Sequence, residues 1–244
     1  MLTQQLNLTA AIVRTYNFTG IGDFVRKLLG FGIRHVVVVV PHDQDNGVTA
    51  PILASFDPTQ VHLVEQSFVK GGRAWSAMLN AGLDYIETSL GDDFIDFVLM
   101  VSNTVLLEAH HLERLYVEMD FGEIMVAGAK FKGVGKQGEE VPLGVAYNHH
   151  YRNTFALYRA QAFQLNPALR RFDESFDGAG GMEDLAWKLT LESMTSRHHV
   201  AEVPVVVPLL VHAHRTPEQQ AEYEATMERG IKAAECHVAW YFRE

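Results

Sequence analysis

The chain has 244 residues, of which 48% are hydrophobic and 20% are charged, and its formal net charge is −10. This composition is that of a globular protein long enough to bury a core, and the acidic excess argues against a general nucleic-acid-binding surface. The single cysteine, Cys236, excludes an internal disulfide and fits a reducing compartment. Because we find neither a signal pattern nor an apolar run of roughly 18 residues, we expect no transmembrane segment and a cytoplasmic protein.

The first part of the chain alternates strand-like and helix-like segments. Residues 36–40 are consecutive valines, which indicates a strand buried on both faces, as in a parallel sheet. Apolar residues at helical spacing follow the first strand and are closed by Gly30 and Gly32. The pattern predicts strands at 8–14, 36–40, 61–64 and 94–101, and helices at 21–31 and 74–83.

The second part continues the alternation. The segment 133–140 is rich in glycine and charge, which predicts a flexible loop and a candidate lid. The remaining predictions are strands at 124–131, 153–158 and 203–211, and helices at 106–116, 159–165, from the acidic residues after Gly181 to 194, and 217–243. Alternating helices and buried strands predict one α/β domain around a mainly parallel central sheet flanked by helices. In such sheets, ligands bind at the carboxyl ends of the strands.

A glycine-rich corner leads into two acidic residues and then into an amphipathic segment. Gly180 and Gly181 precede Met182, Glu183 and Asp184. One interpretation is a plain helix start, because carboxylates are favoured in the first turn of a helix. The other is a carboxylate presented to a cleft, where it takes a proton from a hydroxyl group.

Taken in order, these segments resemble a GT-A glycosyltransferase of the large inverting family 2. Residues 10–17 are similar to its opening strand and Pro-Thr-Tyr-Asn turn, with Arg14 in place of the proline. Residues 71–82 resemble its glycine, arginine and asparagine helix, and residues 97–107 the strand that carries its Asp-x-Asp metal motif. Residues 172–184 resemble its Phe-Asp-Glu and Gly-Gly-x-Glu-Asp motifs.

The resemblance implies a single Rossmann-like GT-A domain that transfers a sugar from a UDP- or GDP-sugar to an acceptor hydroxyl. Residues 1–104 would form the nucleotide-sugar half, and residues 105–244 the acceptor half with the C-terminal helix. Asp184 would be the general base of an inverting displacement, with Glu183 setting the loop or binding the acceptor. The implied acceptor-binding residues are Asn153, Gly180, Gly181 and Met182. The implied donor-binding residues are Thr15, Tyr16, Asn17, Asp43, Arg73, Asn80, Ser102, Asn103, Thr104, His214 and Arg215.

The metal motif departs from the family pattern, because Ser102, Asn103 and Thr104 stand where two aspartates are expected. A neutral set of side chains holds Mg²⁺ or Mn²⁺ poorly. In one scheme a metal binds through His214, the diphosphate and a carboxylate such as Asp43 or Asp45. In the scheme we favour, no metal binds, and protonated histidine with Arg215 offsets the charge of the leaving diphosphate.

Two further hypotheses stay open. A catalytically silent GT-A-like domain would bind only a nucleotide, a glycan or a partner protein, and the missing acidic pair favours it. A nucleotidyltransferase is less consistent with the sequence, because its usual metal-binding carboxylates and its basic glycine-rich segment near the N-terminus are absent. The sequence identifies neither the sugar, nor the acceptor, nor the oligomeric state.

Overall fold

The computed structural model describes residues 2–15, 18–68, 74–91, 93–143, 152–176, 182–194, 200–210 and 217–241. The chain divides into two compact units, one made of Met1–Asn103 and Leu157–Phe172 and the other of Thr104–Ala156 and Asp173–Glu244. The predicted α/β class with a mainly parallel sheet is confirmed. The division of a single domain into halves at residue 104 stays a prediction.

The first unit contains the early strands and the helices that cover them. Its strands are β1 (Thr9–Arg14), β2 (His35–Pro41), β3 (Val61–Gln66) and β4 (Phe97–Ser102). Its helices are α1 (Leu2–Leu6), α2 (Ile21–Gly30), α3 (His42–Asp45), α4 (Thr49–Leu53) and α5 (Trp75–Ser89). Short 3₁₀ turns at Ala160–Gln164 and Pro167–Leu169 also belong to this unit.

The second unit contains the later strands and two helices that pack on each other. Its strands are β5 (Val126–Val134), β6 (Glu140–Val141) and β8 (Val200–Leu210), and β7 (Phe155–Arg159) begins in it. Its helices are α6 (Ala109–Met119), α7 (Glu183–Met194) and α8 (Pro217–Tyr241), and a 3₁₀ turn covers Glu174–Phe176. A core cluster joins α7 to α8 through buried side chains that include Met182, Leu185, Ala186, Met227 and Ala234.

The strands form one sheet in the order β3-β2-β1-β4-β7-β5-β6, with β8 also paired with β5. The pairs β1–β2, β2–β3, β1–β4 and β5–β8 are parallel. Every residue of β1, β2 and β4 is buried, which confirms that the valine segment is covered on both faces. The carboxyl ends of β1 and β4 lie side by side, since Arg14 pairs in register with Ser102.

The pairing of β8 with β5 changes register partway along the two strands. Ala129 of β5 lies opposite Val203, whereas the next residue, Lys130, lies opposite Val206. Pro204 falls in the extra segment between them, where the ladder does not need the N–H group that proline lacks. The bulge therefore accommodates a proline inside an 11-residue strand.

The segment 133–140 is not the unstructured loop that its composition predicts. It is the turn of an antiparallel hairpin, in which Gly133 pairs with Val141 and Val134 pairs with Glu140. Gly138 has a φ of +85°, a left-handed conformation that glycine adopts without strain. Glycine here serves a tight turn, so the prediction of a loop without regular structure is wrong, and the role of this segment as a lid stays a prediction.

A chain of polar side chains crosses the first unit near the start of β2. The Nδ1 atom of His35 lies 3.3 Å from Nε2 of His62, whose Nδ1 atom lies 3.1 Å from the hydroxyl of Tyr85. On the other side, Nε2 of His35 lies 3.4 Å from a carboxylate oxygen of Asp93, which also pairs with Arg34. Burial lowers the pKa of both His35 and His62 from the ordinary value of 6.5, so the two rings stay neutral near neutral pH.

Within the described ranges, no helix is both long and apolar enough to cross a membrane.

Candidate active site

Several residues that the sequence predicts for the site lie outside the described residues. Their predicted roles therefore stay predictions. They are Tyr16, Asn17, Arg73, Gly180, Gly181, His214 and Arg215.

Thr15 follows β1 at the carboxyl edge of the first unit. Its backbone N–H donates to the carbonyl of Val39 on the neighbouring strand, at 3.1 Å. The side chain is buried, and within the described part of the chain its hydroxyl has no hydrogen-bond partner. A buried hydroxyl at this edge suits a predicted ligand-binding residue, because such groups normally find a partner.

The strand β4 delivers the residues that stand at the position of the metal motif. Ser102 is the buried last residue of β4, and Asn103 and Thr104 follow it half-buried. All three of these side chains are neutral. The donor set therefore does not fit Mg²⁺ or Mn²⁺, which favour carboxylate oxygens. In the second unit, the carbonyl of Thr104 accepts from the N–H of Leu210 at the end of β8.

The two aspartates after β2 have different environments. Asp43 is exposed on the short helix α3. Asp45 is buried, and its carboxylate accepts from the backbone N–H of Thr49 at 2.8 Å and from the Thr49 hydroxyl at 2.5 Å. Asp45 thus anchors the start of α4, while Asp43 has the exposure that contact with a ligand requires.

Asn80 is a buried residue of α5 whose side chain binds the backbone of a distant residue. Its Nδ2 atom donates to the carbonyl of Phe172 and its Oδ1 atom accepts from the Phe172 N–H, both at 2.9 Å. The amide thereby pairs with residue 172 as a neighbouring strand would. The sequence predicts donor binding for Asn80 and gives no sign of this partner, which lies 92 positions away.

In the sequence, Arg14 was notable only because it replaces the proline of the family's opening motif. It is the last residue of β1 and is buried, and its guanidinium lies 4.8 Å from the ring centre of Trp75 at the start of α5. A cation over an indole face is stabilised by the ring quadrupole. The structure therefore places a fixed positive charge at the carboxyl edge, in register with Ser102.

The acidic pair lies in the first turn of α7, as the corner pattern predicts. Both Glu183 and Asp184 are buried, and Asp184 has 0% of its surface exposed. One carboxylate oxygen of Asp184 accepts from the backbone N–H of Asn153 at 3.0 Å, and the other accepts from the N–H of Leu185 at 2.9 Å. The side-chain amide of Asn153 lies 3.5 Å from a carboxylate oxygen of Glu183.

Arg152 completes this cluster, and the sequence reasoning missed it. Its Nε atom lies 3.1 Å from the same oxygen of Asp184 that Asn153 contacts, and both side chains are buried. Its Nη1 atom lies 3.6 Å from the sulfur of Met182, which is also buried. The only sequence signal was its place next to Asn153, which the resemblance implies as an acceptor-binding residue.

The structure thus brings together four of the predicted residues of the second unit: Asn153, Met182, Glu183 and Asp184. A carboxylate removed from water is stable as an anion only if a positive charge or N–H donors compensate it. Arg152 and the two backbone N–H groups supply that compensation. The cluster can hold a desolvated anion at a fixed position, either as a proton acceptor or as a structural link between α7 and the turn before β7.

Comparison with protein families and with curated proteins gave no match. Solved structures do match. S. aureus TarS, residues 1–349, aligns with a TM-score of 0.53 at 17% identity, over 96% of this chain and 72% of that one. The 4-diphosphocytidyl-2C-methyl-D-erythritol synthase of Anaerococcus prevotii DSM 20548 aligns with a TM-score of 0.44 at 11% identity, over 93% and 99% of the two chains. At this identity, the likeness to TarS speaks for the fold, which is GT-A-like.

Proposed function

We propose that the chain is a glycosyltransferase that moves a sugar from a UDP- or GDP-sugar to an acceptor hydroxyl with inversion. The GT-A-like fold supports the general class of sugar or nucleotide transfer. The four motif blocks, which occur in the family's order along the sequence, support the narrower reaction. The observation that supports the proposal is the buried carboxylate of Asp184 at the start of α7. Its role as the base rests on the resemblance of residues 172–184 to the family's motifs.

In the proposed reaction, Asp184 accepts the proton of the acceptor hydroxyl. The acceptor oxygen forms a bond to the anomeric carbon while the bond from that carbon to the diphosphate oxygen breaks. The electron pair leaves with the nucleoside diphosphate, and the proton ends on the carboxylate. General base catalysis of this kind contributes about a hundredfold to ten-thousandfold.

The other predicted residues take supporting roles in this proposal. Asn153 and Glu183 bind the acceptor or set the corner, together with Met182, Gly180 and Gly181. The proposed donor-binding residues are Thr15, Tyr16, Asn17, Asp43, Arg73, Ser102, Asn103, Thr104, His214 and Arg215. Asn80 is left out of this set because its amide bonds the backbone of Phe172. Because Ser102, Asn103 and Thr104 do not fit a divalent ion, we propose weak or no metal dependence, with Arg215 and protonated His214 offsetting the diphosphate charge.

A catalytically silent domain is the second candidate, and one observation favours it. The Asp184 carboxylate is fully buried, forms an ion pair with Arg152 and accepts a hydrogen bond from Asn153, as a purely structural anion would. Such a domain would bind a nucleotide without turning it over. Catalysis by Asp184 therefore requires that the acceptor hydroxyl reach a carboxylate with no exposed surface in the free chain.

The experiment is a panel of nucleotide-sugars, each incubated with and without EDTA, in which release of nucleoside diphosphate is followed. Asp184→Asn is the test variant, because it keeps the shape of the side chain and removes its basicity. Glu192→Gln is the matched control, since Glu192 lies half-buried on the same helix, with its carboxylate 3.9 Å from Nζ of Lys188. Melting curves with and without UDP or GDP report folding and donor binding for each variant.

We expect turnover with one donor, unchanged by EDTA and by Glu192→Gln. We expect Asp184→Asn to lose at least about a hundredfold while still being stabilised by the nucleotide. A wild-type chain that is stabilised by a nucleotide but releases none from any sugar donor supports the silent domain. Turnover that EDTA abolishes contradicts the metal-free scheme, and full activity in a folded Asp184→Asn variant removes Asp184 as the base.

A further inference from the structure

The turn before β7 presents an arginine to the acidic pair of α7. Arg152 opens this turn, which is closed by a hydrogen bond from the N–H of Phe155 to the Arg152 carbonyl, at 3.1 Å. The backbone of Asn153 and the side chain of Arg152 both reach the same carboxylate oxygen of Asp184. The turn therefore brings one hydrogen-bond donor, the N–H of Asn153, and one cation, the guanidinium of Arg152, to the same oxygen.

Burial and charge give this contact a chemical consequence. Desolvation alone would favour the neutral, protonated form of a carboxyl group that has no exposed surface. A guanidinium remains charged at all pH values at which a protein is folded, so its proximity favours the ionised carboxylate. An ionised carboxylate is the form that a general base requires before it accepts a proton.

We infer that Arg152 is a positioning residue that keeps Asp184 ionised and fixes the direction of its carboxylate. This inference rests on the proposed function insofar as Asp184 acts as a base. The claim about ionisation concerns the free chain and is measured without turnover.

The contacts explain why the residue is an arginine. Its Nε atom faces Asp184 at 3.1 Å while its Nη1 atom faces the sulfur of Met182 at 3.6 Å, so one planar group spans both neighbours. A lysine ammonium supplies the charge from a single atom on a flexible stem and cannot reproduce this planar arrangement. We therefore separate the charge from the geometry by comparing two substitutions.

The variants are Arg152→Met, which removes the positive charge and keeps a side chain of similar bulk, and Arg152→Lys, which keeps the charge and loses the planar guanidinium group. Arg171→Met is the control, because Arg171 pairs with carboxylates of α5 in the other compact unit. Infrared difference spectra against Asp184→Asn isolate the band of the Asp184 carboxyl group in each background. Turnover of the donor found in the panel is measured across pH, with kcat and KM determined separately.

We expect a carboxylate band for Asp184 in the wild-type chain and in Arg152→Lys, and a protonated carboxyl band in Arg152→Met in mild acid. In Arg152→Met, kcat falls by about a hundredfold or more at that pH and partly recovers as pH rises, while KM for the donor stays close to wild type. Arg152→Lys recovers part of the rate, and Arg171→Met changes neither the band nor kcat.

A protonated Asp184 in the wild-type chain overturns the inference, and so does an unchanged carboxylate band in Arg152→Met. A lower melting temperature in Arg152→Met with wild-type kcat and pH profile would show a merely structural arginine. If Arg152→Met does not fold, Arg152→Lys tests the inference, because a wild-type kcat in that variant contradicts a role for the planar guanidinium in positioning Asp184. If no donor turns over but the bands are as expected, the ionisation claim stands and the proposed function fails.

Discussion

Replacing Asn80 by alanine tests whether its amide stabilises the fold or binds the donor. In the structure, both polar atoms of the amide are bonded to the backbone of Phe172, each at 2.9 Å. Alanine removes both partners and leaves the N–H and the carbonyl of Phe172 in a buried environment. The variant therefore removes this pair of hydrogen bonds.

The size of the effect follows from those two backbone groups. A buried donor or acceptor left without a partner costs about 1–3 kcal/mol. Together the two groups give a loss of about 2–6 kcal/mol in the free energy of unfolding, with the lower part of that range expected if water enters the space. A domain with a total stability of about 5–15 kcal/mol loses a large fraction of it.

Urea unfolding of the wild-type chain and Asn80→Ala measures the difference. Asn166→Ala is the matched control, because Asn166 also accepts from a backbone N–H, that of Ala168 at 2.9 Å, but at a partly exposed turn. We expect the control to lose about 1 kcal/mol. Binding of UDP and GDP is measured in both variants under conditions in which they remain folded.

A loss in Asn80→Ala no larger than that of the control would refute the reasoning, since two buried backbone groups would then have lost their partners at little cost. If that small loss came with abolished nucleotide binding, the role that the sequence predicts would be the correct one. A large loss of stability with intact binding in the folded fraction is the result that the geometry supports.

Two further predictions concern the first unit. Because burial lowers the pKa of His35 and His62, the unfolded chain binds more protons than the folded chain as pH falls. The contribution of these two residues to the free energy of unfolding should therefore be constant above about pH 7 and decline as pH falls through about 6.5. In His62→Gln, the free energy of unfolding should change less steeply with pH. A free energy of unfolding that does not change between about pH 7 and about pH 6 in the wild-type chain contradicts the neutral state of the two rings. In Gly82→Ala, the new Cβ would lie 2.7 Å from the Cγ2 atom of Ile12, in the buried core of β1. The steric cost of about 1–3 kcal/mol is partly offset by the gain of about 1 kcal/mol for alanine over glycine inside a helix, so urea unfolding should show a net loss of up to about 2 kcal/mol. A higher unfolding midpoint than that of the wild-type chain would mean that Ile12 moves at little cost.

Local patterns were sufficient to predict most of the fold. The consecutive valines of β2 and the helical spacing of α2 depend on neighbours in sequence, and both elements occur within a residue or two of the predicted limits. The hairpin at 133–140 was not predicted because it depends on the pairing of Gly133 with Val141 and of Val134 with Glu140. The composition of the segment does not show this pairing. Helix α5 continues to Ser89, well beyond the predicted end at residue 83. The residues after 83 are mostly polar, so the apolar pattern did not show that the helix continues through them.

The candidate site was less accessible to sequence reasoning. The acidic residues 183 and 184 were identified because a glycine corner marks them, and the start of α7 at Glu183 agrees with that pattern. Arg152 and the partner of Asn80 could not be found, because each contact joins positions far apart in sequence. Such contacts are set by how the strands and helices pack, and a single sequence carries no local trace of them.

The bulge in β8 has a consequence for how the folded chain behaves at high concentration. A valine-rich strand with free backbone groups readily recruits a strand of another molecule and starts aggregation. Pro204 and Pro208 each remove an N–H group from β8, and Glu202 adds an exposed charge to the same strand. Two prolines and a charge therefore make β8 a poor template for a strand of another molecule.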